Sequence, residues 1–210
     1  MAHKGKLFES IEDVSPRIFD NPIMDFLSRV SWWVVPIIYI PIIAYFSYIA
    51  LTTPNISILK FVLYFALGIF IWTFMEYSLH RWAFHFEAKT KRQERILFLV
   101  HGIHHDYPQD SKRLVMPPSV SLILAIITYS IIFGVTTLLG SVYLTPAIFA
   151  GVVAGYLYYD MVHYSQHHMA ITNPYYKDLK EYHMKHHYQE PDLAFGISNK
   201  FWDRIFKTLL

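Results

Sequence analysis

Charged and apolar residues are sorted along this chain into long blocks rather than interleaved. From Val30 to Leu59 there is no Lys, Arg, Asp, Glu or His, and after Lys60 the run resumes from Phe61 to Met75. A second stretch free of these residues runs from Leu114 to Tyr159. A helix needs about 20 mostly apolar residues to cross a bilayer, so each block has room for two spans and a turn. The pattern predicts spans near 32–51, 58–80, 119–139 and 143–164. Thr52-Thr53-Pro54-Asn55 breaks the first hairpin, and Gly140-Ser141 with Pro146 breaks the second. Pro36 and Pro41 lie inside the first span and are expected to bend it, since membrane helices tolerate proline. Outside the blocks, 91–106 and 175–190 read as shorter helices, and the segment FGISNKFWDRIF (195–206) reads as amphipathic.

The basic residues orient these spans. Of 18 Lys and Arg, four precede the first span, seven lie between spans two and three, and six follow span four; Lys60 stands alone near the other side. The positive-inside rule then puts both termini and the 81–118 segment in the cytosol. The expected architecture is all-α: one membrane-embedded domain over 1–210, with four transmembrane helices in two hairpins and a cytosolic helical cap from 81–118 and 165–210. The first 30 residues mix acids and bases and lack the apolar core of a signal peptide.

Composition narrows the chemistry. Charged residues make up 16%, against about 25% in soluble domains, which makes lipid the main solvent. A net charge of +2 without a basic aromatic patch argues against nucleic acid. There is no cysteine, which excludes disulfides, Fe–S clusters and thiolate-bound metals. A metal here must be held by His, Asp or Glu.

Histidine is where the chain is unusual. Of 12 His, all but His3 stand in four short clusters: His80-x4-His85, His101-x2-His104-His105, His163-x3-His167-His168 and His183-x2-His186-His187. Every cluster falls on the side predicted to be cytosolic. At about 100° per residue, positions three and four apart return to one helix face. His101, His104 and His105 are therefore expected to converge, as are His183, His186 and His187, while His163 and His167 share a face. The five-residue step from His80 to His85 does not fit one regular helix, so His85 is expected beyond a bend or unwound turn. His168 points about 100° from His167 and is read as supporting or surface, and His3 as solvated. So many imidazoles exceed what one ion accepts. Two ions sharing them, each with about five nitrogens, suit iron better than zinc, which usually closes at four ligands.

These stretches resemble the fatty acid hydroxylase superfamily, and specifically the fatty acid 2-hydroxylases that act on sphingolipid acyl chains. The resemblance is carried by EYSLHRWAFHF (76–86), HGIHHDYP with the following RLVMPP (101–118), YYDMVHYSQHH (158–168), and YHMKHHY with FGISNKFWDRIF (182–206). The histidine pattern is shared with sterol and carotenoid oxidases; the RLVMPP, YYDMVHY and FGxSxxFWDxxF pieces are narrower. The resemblance implies ten ligands: His80, His85, His101, His104, His105, His163, His167, His183, His186 and His187. It implies two Fe ions, with zinc able to occupy the same nitrogens in purified protein, and O2 as co-substrate for hydroxylation at C2 of an acyl chain. Many relatives carry a haem-binding HPGG motif in a fused cytochrome b5 domain. The motif is absent here, so the resemblance implies a separate cytochrome b5-like or ferredoxin-like donor. It places the protein in the endoplasmic reticulum of a eukaryote or the inner membrane of a bacterium.

Carboxylates near the clusters are candidates to orient the ligands. Glu76 lies four residues before His80, Asp160 three before His163, and Glu181 just before the last cluster. Tyr156, Asp160, His163 and His167 also form one polar stripe on span four, so Tyr156 and Asp160 are expected to face the metals and either hold the polar part of the lipid or support His163. A sterol or carotenoid oxidase is the competing enzyme reading. A metal transporter competes from another class, but transporters bind near the bilayer midplane, where these spans carry no ionisable residue.

Overall fold

The computed structural model describes residues 7–210, so His3 lies outside the described residues. Helix α1 (Pro22–Leu27) precedes the first long helix, α2 (Val34–Thr52). Then come α3 (Ile58–Ser78), α4 (Lys91–Leu97), α5 (Ile103–Asp106) and α6 (Pro118–Leu138). The chain ends with α7 (Thr145–His168), α8 (Pro174–Tyr188) and α9 (Phe201–Phe206). Four helical stretches, over 34–52, 58–84, 118–138 and 142–168, are long and apolar enough to cross a membrane. The first runs unbroken through Pro41. Turns of left-handed backbone at Asn55 (φ 70°) and Gly140 (φ 63°) close the two hairpins.

The four long helices are not equivalent. Three are strongly apolar and mostly uncovered by protein, whereas α7 is less apolar and mostly buried. An apolar helix that protein does not cover is one that lipid covers. Thus α7 is the central post, and α2, α3 and α6 turn Ile40, Val62, Ile123 and Ile131 outward.

The closest packing is between α3 and α7. A Cβ on Gly68 would sit 2.1 Å from the Ile148 carbonyl oxygen, and one on Gly151 would sit 2.0 Å from that of Phe65. A Cβ on Gly155, one turn on from Gly151, would sit 2.6 Å from Trp72 Cβ. This is small-residue packing of membrane helices, in which missing side chains let backbones touch. It matters for the site because α3 leads to His80 and α7 carries His163 and His167.

The ends of α3 and α4 widen into π turns, over Leu79–Phe84 and Phe98–Gly102. The first corrects the expectation of a bend or unwound turn before His85. The helix stays wound, and i→i+5 hydrogen bonding brings residues five apart to one face. The rings of His80 and His85 come within 5.0 Å.

The segment before α2 packs over the cap rather than trailing from it. The Arg113 side chain, 3% exposed, reaches Asp110 at 3.2 Å and Asp25 at 3.1 Å, and its Nε donates to Ser28 Oγ at 3.2 Å. The Val30 amide donates to the Lys112 carbonyl at 2.7 Å.

Candidate metal centre

Ten histidines from five segments meet around the C-terminal ends of α3 and α7, in two groups. His80, His85, His101, His105 and His186 form the first, and His104, His163, His167, His183 and His187 the second. Within each group one ring nitrogen per residue lies within 4.8 Å of all the others. All are buried except His85, which is half-buried.

This grouping corrects the expectation that each H-x2-H-H cluster converges on one point. Adjacent residues on a helix diverge by about 100°, so His104 and His105 part company, as do His186 and His187. Helices α5 and α8 therefore each feed both centres, whereas both ligands of α7, His163 and His167, go to the second. His168 joins neither; its ring stacks on Tyr164 at 4.6 Å.

The geometry fits a cation at each centre. In the first, His101 Nε2 lies 3.0 Å from Nε2 of both His80 and His105. In the second, His183 Nε2 lies 3.0 Å from Nε2 of His163, His167 and His187, and His163 Nε2 lies 3.1 Å from that of His104. Ligands at right angles around an ion, with bonds of about 2.1 Å, are about 3 Å apart, whereas tetrahedral ones are about 3.4 Å apart. The short separations and five donors fit coordination above four, with room for another ligand. Nε2 of His85 and His186 is buried and finds no hydrogen-bond partner among the described residues, as expected of lone pairs aimed at a metal.

Electrostatics agree. Burial pushes the rings outside the spans strongly toward neutrality: His85 down to about 3, His186 to about 4, and His101, His104, His183 and His187 well below the usual value. Neutral imidazole is the form that binds metal.

Two ligands of the first centre are oriented by main chain, not directly by the carboxylates that the sequence suggested. His80 Nδ1 donates to the Phe195 carbonyl and His186 Nδ1 to the Leu193 carbonyl, each at 2.6 Å. Glu76 instead accepts from Ile197 and Ser198. Asp160 accepts from Tyr156 Oη at 3.1 Å and the Met116 amide at 3.4 Å. Glu181 is exposed, 4.0 Å from Lys177.

Beside the centres lies a cavity of about 500 Å³ that reaches His101, His104 and His163. Its walls are mostly apolar, with Phe84, Leu99, Val115, Met116 and Leu124 among them, and α1 with the chain before it forms one side. Tyr159 and Asp160 bring polar atoms to the wall. Tyr156 does not line it: this ring is packed between Tyr39 (4.8 Å) and Trp72 (5.2 Å) and reaches the cavity only through its hydrogen bond to Asp160. Tyr159, which the stripe reading passed over, takes its place, and the four-residue step to His163 was the available signal.

The sequence model of the fatty acid hydroxylase family matches residues 65–208. The chain belongs to that family. It is 37% identical over 198 residues to a dihydroceramide fatty acyl 2-hydroxylase of Arabidopsis thaliana, covering 92% of this chain and 80% of the relative. It is 38% identical over 199 residues to a ceramide very long chain fatty acid hydroxylase of Saccharomyces cerevisiae, covering 93% and 50% respectively. The human fatty acid 2-hydroxylase is 34% identical over 217 residues, with 92% and 56% covered. Among solved structures, that of full-length scs7p, in which only the hydroxylase domain is visible, superposes with a TM-score of 0.84 at 38% identity. That match covers 92% of this chain and 71% of the other. The hydroxylase is thus a multi-pass membrane enzyme whose histidine clusters can hold metal.

Proposed function

We propose that this hydroxylase inserts one oxygen atom of O2 at C2 of a fatty acyl chain, the N-acyl chain of a sphingolipid or a related lipid, using two iron ions held by the ten histidines. The observation that carries the reading is the junction of two five-histidine centres with a largely apolar cavity of about 500 Å³. With iron bound, the site supplies O2 reduction: one oxygen atom enters the C–H bond and the other leaves as water, using two electrons and two protons from a redox partner. The remaining work belongs to the chain. Apolar walls exclude water and take the alkyl tail. Tyr159 and Asp160 bind the acyl carbonyl or its neighbouring polar group, and Tyr156 orients Asp160 from below. Anchoring the polar end holds C2 rather than a distant carbon near the metals.

The histidine end faces the cytosol, because 17 of the 18 Lys and Arg lie on that side of the spans. A cytochrome b5-like or ferredoxin-like donor would approach there. The test is lipid mass spectrometry of cells expressing the chain or its His163→Ala variant, with metal analysis of both proteins. We expect 2-hydroxyacyl lipids with the first and not the second. Equal product in both, or hydroxyl groups at another carbon, refutes the reading.

A further inference from the structure

Segment 193–198, between α8 and α9, has no regular hydrogen-bonding partner strand or helix, yet its backbone is closely tied down. The Leu193 and Phe195 carbonyls accept from His186 and His80. The Ala194 amide donates to the Thr208 carbonyl at 2.8 Å. The next four amides go to two carboxyl groups. Those of Phe195 and Gly196 donate to Asp203 Oδ1 and Oδ2 at 2.9 and 2.7 Å. Those of Ile197 and Ser198 both donate to Glu76 Oε1, at 2.9 and 2.7 Å, while Ser198 Oγ donates to Oε2 at 2.5 Å. Gln166 Nε2 closes the Ile197 carbonyl at 3.0 Å.

The clamp is tight as well as complete. Glu76 and Asp203 are 3% and 0% exposed, and a carboxyl group is buried so deeply only where it is hydrogen-bonded. A Cβ on Gly196 would lie 2.1 Å from the Asn199 carbonyl oxygen and 2.6 Å from Asp203 Oδ2. Ala194 is held at φ 60°, a region that residues other than glycine rarely occupy. Such a conformation persists only where its surroundings enforce it.

Both histidines that this segment orients belong to the first centre. In the second, Nδ1 of His183 and His187 finds no protein partner among the described residues. Segment 193–198 therefore holds two ligands of the first centre and none of the second. We propose that Glu76 and Asp203 are positioning residues for the first metal alone, acting through segment 193–198 on His80 and His186. Neither touches a metal. Glu76 does so from within α3 and Asp203 from α9, so the device also joins a membrane helix to the cap.

The inference rests on the dimetal reading, and the experiment separates the two. Purified full-length protein is challenged with a graded chelator, and metal per chain is measured by mass spectrometry. Wild type holding fewer than two metals overturns the dimetal reading itself. Given two in wild type, Glu76→Ala is expected to lose one about 10- to 100-fold more readily, the usual effect of removing support from a metal-bound histidine. Backgrounds lacking a central histidine identify which one. Combined with His101→Ala, which disables the first centre, Glu76→Ala leaves the remaining metal in place. Combined with His183→Ala, it releases that metal.

Glu76→Gln supplies the rescue. Its carbonyl oxygen still accepts from the two amides, and its NH2 can donate to Ser198 Oγ, so near-wild-type retention is expected. Equal loss from both centres, no loss, or Glu76→Gln behaving like Glu76→Ala overturns the proposal. Asp203→Ala, which lies outside the membrane, is the second handle should Glu76→Ala fail to fold, and the same selective loss is required of it.

Discussion

Replacing Gly151 by alanine adds one methyl group where α3 and α7 touch, and the structure sets the size of the consequence. The new Cβ would lie 2.0 Å from the Phe65 carbonyl oxygen and 3.0 Å from Gly68 Cα. Ordinary van der Waals contact begins 1.4 Å further out. The opposing atom is backbone, so no rotamer change relieves the clash, and the helices must separate by about that much. Overpacking of a close contact costs about 1–3 kcal/mol, and this site belongs at the upper end. A gap of about 0.5–1 Å also forfeits a quarter to a half of each dispersion contact along the interface. His163 lies ~18 Å further along α7, taking 1.5 Å per residue, so a tilt at Gly151 also moves the second centre relative to the first. Gly134→Ala is the matched comparison, because a Cβ there meets nothing within 4 Å. It should be neutral or gain up to about 1 kcal/mol from helix propensity. Thermal unfolding followed by far-ultraviolet circular dichroism in detergent compares the two variants. If Gly151→Ala melts with wild type and keeps both metals, the close-packing argument is wrong.

Three further outcomes are expected. His104→Ala should weaken the second centre and His105→Ala the first, although the residues are adjacent, whereas His168→Ala should leave both; site-resolved metal analysis distinguishes this from joint loss. Asp160→Asn and Tyr159→Phe should cut hydroxylation at least tenfold with both metals retained, since they touch the cavity and not the ions; unchanged product would remove them from lipid binding. Metal-free protein should lose stability on acidification. His186 is pushed down to about 4, chiefly by burial, so between about pH 6.5 and 4 the unfolded chain takes up a proton that the folded chain refuses. Denaturant titrations should therefore show stability falling across that window, and a flat profile would contradict the buried, neutral state.

Much of this was legible in the sequence because it depends on local pattern. The charge-free blocks announce the spans, and the grouping of histidines at one end of them announces the site. What the sequence hid was of three physical kinds. A π turn has no strong compositional signature, so the step from His80 to His85 signalled an irregularity without its form. The division of His104 from His105 follows from helix geometry, but three-residue clusters invite the simpler reading of one centre each. The support of His80 by the Phe195 carbonyl was out of reach because every residue has a carbonyl, and its contact spans 115 positions. Glu76 was singled out as a candidate to orient His80 directly, but its partners are amides more than a hundred residues away.

The hairpin turns bear on how the chain enters its membrane. Neither 53–57 nor 139–144 contains a charged residue, and Lys60 is the only basic group near that end. Translocating a charge through the bilayer centre is the expensive part of insertion, about 2.5–3.5 kcal/mol even on the gentlest scale. Each hairpin thus crosses as a nearly uncharged wedge. In the orientation proposed above, the histidine end stays on the side of synthesis, so that no ligand would be carried through lipid and the metal would be taken from the compartment where the polypeptide is made.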